Sequence, residues 1–350
     1  MTLFSRREHS RRDSGLPLSA EALRTPFFLG YTQTGDPYAT LHTKKGRFPM
    51  GLLLMARFTI QEVLRRRLFL ALFLLSVLLI AAYAFLLHTA IDASLSRPIV
   101  AGGVSTDMFL WTSGIFVSIP SVWLVYLISG MLTIFLAVGM ISSEIDAGTF
   151  AIIVPKPLRR AEIVLGKWLG HALILGIYTA LLFFVFLGII FWLTGYWPEQ
   201  APGSLLLLEL AMLSLLGLAT LGSTLVSTVV NGAVIMILFL SAPIAGLISS
   251  VLSLTASAQG TLVSSSGTMQ NITTIINLII PTDALWHGSA FYLLPTGAMN
   301  LLQSQDFSAA PFNLPLLNAA PLPTPLLIWI VLYILILPLL AIWRFQHRDL

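Results

Sequence analysis

Charge and cysteine are what this chain has least of. Its 350 residues include no cysteine, which excludes a disulfide framework and any thiolate metal site. Charged residues make up 10% of the chain, where about a quarter is usual in soluble globular domains. No GxxxxGK[ST] run occurs: Gly166-Lys167 is followed by Trp168 and has no glycine at the required upstream position. The chain therefore has no backbone cradle of that kind for nucleotide phosphates. No HExxH occurs, and His9, His42, His88, His171, His287 and His347 are scattered; the expectation is that none pairs with a carboxylate at metal-ligand spacing. Serines are many, but nothing singles one out as a nucleophile beside a histidine.

What is present is apolar length. Hydrophobic residues make up 57% of the chain, and several uncharged runs reach the roughly 20 residues needed to cross the hydrocarbon core. Six spans are expected, at 68–88, 121–142, 171–192, 205–229, 232–254 and 325–343, with Glu209 the only formal charge inside them. The fold class is an all-α membrane protein. No cleavable leader is evident, because residues 1–49 are polar and basic, and the first long apolar run begins near Leu68. That opening segment reads as a disordered basic cytoplasmic tail, and residues 50–350 as the transmembrane domain.

Orientation follows from lysine and arginine. Eighteen of the nineteen fall on one side of the six-span scheme, and only Arg97 falls on the other. The positive-inside rule then places both termini and the 143–167 loop in the cytoplasm of a plasma (inner) membrane protein. Residues 50–67 form an amphipathic surface helix. Leu53, Ala56, Ile60, Val63 and Leu64 make one stripe, Arg57, Gln61 and Arg65 the opposite one, and Arg65, Arg66 and Arg67 hold the first span at the headgroups. Asn231-Gly232 reads as the tight turn of a hairpin between the fourth and fifth spans. Ala219, Ser223 and Ser227 line the fourth span as small residues at i, i+4 and i+8. Pro243 and Pro338 are expected to kink their spans.

Two segments fall on the outer side. Residues 89–120 include Phe109 to Ile119, expected to rest in the interface. Residues 255–324 carry no Lys or Arg. There Ile272, Ile275, Ile276 and Ile279 keep helical spacing up to Pro281, and Trp286, Phe291 and Tyr292 follow. Short re-entrant or interfacial helices before the last span are expected. Glu209, near the outer end of its span, is a candidate for the substrate path.

The most informative stretch is the charged island between two apolar runs. Met108 to Ser143 and Trp168 to Tyr196 contain no charge, and between them stand Glu144, Asp146, Lys156, Arg159, Arg160, Glu162 and Lys167. Ser143 can cap a helix whose first turn carries Glu144 and Asp146. Gly148 bends it, Pro155 and Pro157 stop it, and a basic helical segment from Arg159 to Lys167 leads into the third span.

The ordered set Glu144-x-x-x-Gly148-Thr149, Pro157-x-Arg159-Arg160 and Gly166-Lys167 resembles the signature that follows the second span in permease subunits of type-2 ABC exporters. Residues 57–69 resemble the connecting helix of that family. The Ser227…Asn231-Gly232 hairpin and the closing Arg348-Asp349-Leu350 also fit, over about residues 55–350. The resemblance implies a half-transporter that pairs with a second permease, identical or not, above two separate ATP-binding subunits. It implies a coupling helix around Glu144, Asp146, Gly148 and Thr149, with Pro157, Arg159, Arg160 and Lys167 on its return, and a connecting helix carrying Arg57, Arg65, Arg66 and Arg67. ATP and magnesium would belong to the partner; this chain itself would bind no cofactor, no metal and no nucleic acid, touch membrane lipids, and catalyse nothing alone. An amphipathic or lipid-like cargo suits spans with so little charge. The rival readings are an ATP-independent carrier built around Glu209 and a membrane scaffold.

Overall fold

A backbone crossing hydrocarbon must satisfy its own N–H and C=O groups, and a helix does so within one segment. The computed structural model describes residues 48–96, 105–142, 160–258, 274–295, 319 and 321–347, and among these there is no strand. Eight helices follow in order: α1 Phe48–Arg65, α2 Arg67–Leu95, α3 Thr106–Ala137, α4 Arg160–Thr194, α5 Ala201–Leu225, α6 Thr228–Ala258, α7 Thr282–Phe291 and α8 Thr324–Gln346. A short helical turn at 274–279 precedes α7. Among the described residues, α2, α3, α4, α5 and α8 are long and apolar enough to cross a bilayer; α6 has 31 residues and is apolar over Thr228–Ser241.

Three expectations are corrected. Residues 106–120 do not rest apart from the second span: they are the first half of α3, a 32-residue helix that carries Pro120 inside it and is capped by Ser105. The hairpin turn falls at Val226-Ser227, and Asn231-Gly232 lie inside α6. The cause is Val226, whose extended backbone ends α5 early and frees Asn231 for a packing role. Ser227 thereby leaves the small-residue stripe, while Ala219 and Ser223 stay fully buried. Pro243 and Pro338 stand inside α6 and α8, the helices they were expected to bend. The expected tail up to residue 47 lies outside the described residues.

The bundle is built on α5, against which α3, α4, α6, α7 and α8 all pack. Its buried face is Leu207, Leu208, Ala211, Met212, Leu215, Leu216 and Ala219. The opposite extreme is α2, with only Ser76, Leu87 and Ile91 buried. Tyr83 holds it to the rest, donating to Val117 O at 3.1 Å and meeting the Phe186 ring edge-on at 4.9 Å.

Two ends of the bundle differ sharply. Near the start of α4, Lys167 bonds to the end of α3 and Arg160 to the end of α8, and α1, which carries Arg57 and Arg65, packs along α4. This is called the basic end below. At the far end α7 is a buried wedge. Tyr126 of α3 shares a hydrogen bond with Thr282 (3.2 Å) and packs on Phe239 and Trp286, Ser204 pairs with Ser289 (2.7 Å), and the Tyr196 hydroxyl donates to Leu293 O. The expected outward-facing helix there is divided: Ile275, Leu278 and Ile279 are exposed, Ile280 buried.

The tightest helix crossing is α1 on α4. A Cβ built on Gly166 would lie 2.9 Å from Leu52 O, and one on Gly170 would lie 2.8 Å from Thr59 Cβ and 2.9 Å from Ala56 O. Gly166 and Gly170 are one turn apart, so together they form the small-residue notch that lets two backbones touch. Thr59, whose hydroxyl donates to Met55 O at 2.9 Å, fills it without an orphan polar atom. Because the obstruction is backbone, Gly170→Ala is expected to cost about 1–3 kcal/mol. Gly188→Ala, in open space on the same helix, should gain up to about 1 kcal/mol of helix propensity. Thermal unfolding of the purified chain in detergent reads both; a Gly170→Ala protein as stable as the Gly188→Ala one would contradict the notch.

Candidate functional site: the basic end

Helix α3 loses its regular backbone at Val138–Ile141, just before the charged island. A helix end leaves carbonyl oxygens without intrahelical partners, and here they are buried. Asn231 of α6 donates through Nδ2 to Val138 O at 2.9 Å and to Ala219 O of α5 at 3.0 Å. Lys167 of α4 donates through Nζ to Met140 O at 2.9 Å, although its side chain is only 5% exposed. Ser142 shares a hydrogen bond with Thr228 at the start of α6 (2.7 Å). Gly222 has no side chain where the Asn231 carboxamide sits, and Gly232 brings α6 against Val138.

The return side is tied as firmly. Arg160, the first residue of α4, donates from Nη1 to Phe345 O and Gln346 O, each at 3.2 Å, and its guanidinium lies 5.9 Å from the Phe345 ring centroid. A cation on the last carbonyls of a helix satisfies them and suits the negative helix end. Under these bonds Met140, Ile141, Val164, Ala341, Ile342 and Phe345 form a small apolar cluster of their own. The segment 143–159 thus leaves from α3 and returns to α4 at two fixed points, tied to α6 and α8 respectively.

Helix α1 brackets the same corner. Met55, Thr59 and Val63 face α4, whereas Leu53 (66% exposed), Phe58 and Leu64 (50%) do not, and Arg57 and Arg65 are also exposed. The expected single apolar stripe is therefore two adjacent ones, one against α4 and one exposed. Arg66, the bend between α1 and α2, donates to Glu62. Burial pushes the Glu62 carboxyl up, but the Arg66 hydrogen bond and the charges of Arg66, Lys167 and His171 outweigh it and hold the carboxyl below its ordinary 4.5. His171, buried one turn along α4, has its Nδ1 2.8 Å from Lys167 O.

Of the residues expected in the coupling loop, Glu144, Asp146, Gly148, Thr149, Pro157 and Arg159 lie outside the described residues. Arg160 and Lys167 are described and stand on α4 itself, as anchors of the third span. Glu209 is distant from this corner: it sits on α5, half-buried, close to Gly176 near the middle of α4. Two histidines do face carboxylates, His88 with Asp92 at 3.1 Å and His287 with Asp283 at 3.9 Å, against the expectation of none. Among the described residues no three ligating side chains converge as a metal site. Sequence reasoning missed Asn231 as a helix tie, along with Glu62 and His171; the Gly166-x-x-x-Gly170 spacing was the one readable hint of the α1 dock.

Two measurements check this corner. Asn231→Leu keeps the volume, leaves Val138 O unbonded and takes the second donor from Ala219 O, which keeps its bond within α5, so a loss of about 1–3 kcal/mol is expected in detergent unfolding, chiefly from one buried orphan carbonyl; unchanged stability would refute the tie. A carboxyl held below its ordinary value stabilises the folded state above about pH 4.5, and that contribution disappears as pH falls through the folded value. Protection of the α1 amides from hydrogen exchange, taken relative to the intrinsic rate at each pH, should therefore fall below that pH, and Glu62→Gln should flatten the dependence.

A profile of ABC-2 family transporter proteins matches residues 55–350. No individual curated protein matches significantly. The match takes in every helix named above except the first turns of α1, and the folded chain has the stack of apolar helices that a multi-pass membrane subunit needs. The chain belongs to the ABC-2 family of transporter proteins.

Proposed function

We propose that this chain is the six-span permease subunit of an ATP-driven exporter in the plasma membrane, with α6 as the fifth span and the basic end in the cytoplasm. The observation that carries the reading is the pair of fixed points flanking 143–159. A force applied to that segment has no slack to take up at either side: it reaches α3 and α6 through Asn231 and Ser142, and α4 and α8 through Lys167 and Arg160. Coupling requires such a shared element with differential contacts in two states. Residues Glu144, Asp146, Gly148 and Thr149 would meet a separate ATPase subunit. Pro157, Arg159, Arg160 and Lys167 would return the push to the bundle. Helix α1, with Arg57, Arg65, Arg66 and Arg67, would lie in the cytoplasmic interface. Positive charge at that end agrees with the orientation. A second permease copy or relative would pair with this one, and the ATP and magnesium would sit on the motor subunits. The helical turn at 274–279 and α7 would form the outer re-entrant element. A cargo with substantial apolar surface suits a path whose one formal charge among the described span residues is Glu209.

The test uses the absence of cysteine. Glu144→Cys should react with a membrane-impermeant maleimide only when the cytoplasmic face is open, and tagged chain drawn from its own cells should bring a P-loop ATPase in stoichiometric amount. Glu144→Arg should insert normally and lose ATP-driven transport. Labelling from outside, no ATPase in the purified material, or full transport by Glu144→Arg would each overturn the proposal. Transport that survives without an ATPase and vanishes in Glu209→Gln would favour the secondary carrier instead.

A further inference from the structure

A cavity of about 630 Å³ opens at the far end, between the turn at 274–279, α7 and the start of α8. Its volume falls in the range of small-molecule sites, which are mostly apolar with a few convergent polar groups. Its walls are braced rather than loose. Trp329 donates to Leu278 O at 3.0 Å and Tyr333 to Ile279 O at 2.6 Å, so the 274–279 turn is fastened to α8. Leu278, Leu322, Leu326 and three prolines supply apolar surface, with the indole of Trp329 beside them.

Two residues of this wall, Asp283 and Asn277, present buried acceptor oxygens. Asp283 is 6% exposed. Its Oδ1 accepts from Trp286 Nε1 at 3.0 Å, and its Oδ2 faces His287 Nε2 at 3.9 Å, beyond hydrogen-bond reach. Asn277 Oδ1 is buried and has no hydrogen-bond partner. No Lys or Arg lines the cavity, and the sequence holds none between Lys167 and Arg344. The Asp283 carboxylate faces no Lys or Arg and has only His287 at ion-pair distance, and the unfilled Asn277 acceptor on the same wall is costly without an N–H. One ligand chemistry meets both needs: a primary ammonium that donates to Asp283 and Asn277. The apolar walls then ask for a hydrocarbon body behind it.

We propose that this cavity binds an amphiphile with a primary-ammonium headgroup and an alkyl body, held by Asp283 and Asn277 against Leu278, Leu322, Leu326 and Trp329. The proposal rests on the exporter reading only in making the cavity a station on the exit side for cargo. The chemistry is shared by an exported long-chain amine and by an aminolipid of the bilayer.

The experiment uses the full chain in nanodiscs of phosphatidylcholine. Ala284 lines the cavity, and Ala284→Cys would be the chain's single thiol. Dodecylamine should slow maleimide labelling of that cysteine by about tenfold, the scale of a charge-assisted hydrogen bond, while dodecanol and dodecyl sulfate at matched membrane concentration should protect far less. Adding Asp283→Asn, which still accepts from Trp286, should abolish the preference for the amine. Equal protection by all three amphiphiles, protection that survives Asp283→Asn, or a cysteine that never reacts would overturn the site. Phosphatidylethanolamine in the nanodisc separates the sources: competition with dodecylamine marks an aminolipid occupant, and no competition marks a soluble amine. The assay needs neither ATP nor a motor subunit, so its failure leaves the permease reading intact, and absence of a co-purifying ATPase leaves the cavity result intact.

Discussion

Buried helix ends must have their carbonyl oxygens answered, and in this chain that requirement organises everything near the charged island. Helix α3 stops being regular while still enclosed by protein. Its last carbonyls are taken by Asn231 from one neighbour and Lys167 from another. Water cannot serve as a cheap substitute in such surroundings, so the two donors fix the distance between α3, α4, α5 and α6 at one level. The repeat of the same solution at the end of α8, with Arg160 as donor, makes the corner a joint in which four helix ends share bonds. A joint of this kind transmits displacement because each bond broken alone exposes an unpaired group.

The α1 dock adds a different kind of constraint, steric rather than polar. Gly166 and Gly170 remove the side chains that would hold two backbones apart, and dispersion over that close contact replaces the hydrophobic drive that lipid does not supply. Lys167 lies between the two glycines in sequence. The residue that bonds to α3 is therefore flanked by the residues that seat α1, and a shift of α4 must be felt on both sides.

Much of this was legible before any coordinates. Length and absence of charge located the spans to within a few residues at most ends, and the island between two apolar runs marked the corner where the joint was found. What could not be read were distances between helices. Asn231 carried a turn signature, and only the extended backbone at Val226 moves the turn upstream and leaves the carboxamide inside a helix. Phe109 to Ile119 read as an interfacial segment on the outer side, yet it is the first half of α3, which carries Pro120 within it. Leu53 and Leu64 scored as one stripe with Val63 because periodicity counts apolar residues without asking which neighbour they meet. The Asp283 cavity was hidden for the same reason: its walls come from two stretches, 274–287 and 319–329, more than thirty residues apart along the chain.

The sparse packing of α2 has a consequence for how the protein is made. A span that buries only Ser76, Leu87 and Ile91 in its own bundle gains almost nothing from waiting for the others, and it can leave the translocation machinery as a finished piece. Helix α1 is in the reverse position. Its seat on α4 does not exist until that later helix has been synthesised, and in the interval the Leu53 and Leu64 side, with its flanking arginines, gives it a provisional berth on the headgroups. Two apolar faces on one short helix thus serve two successive addresses during biogenesis.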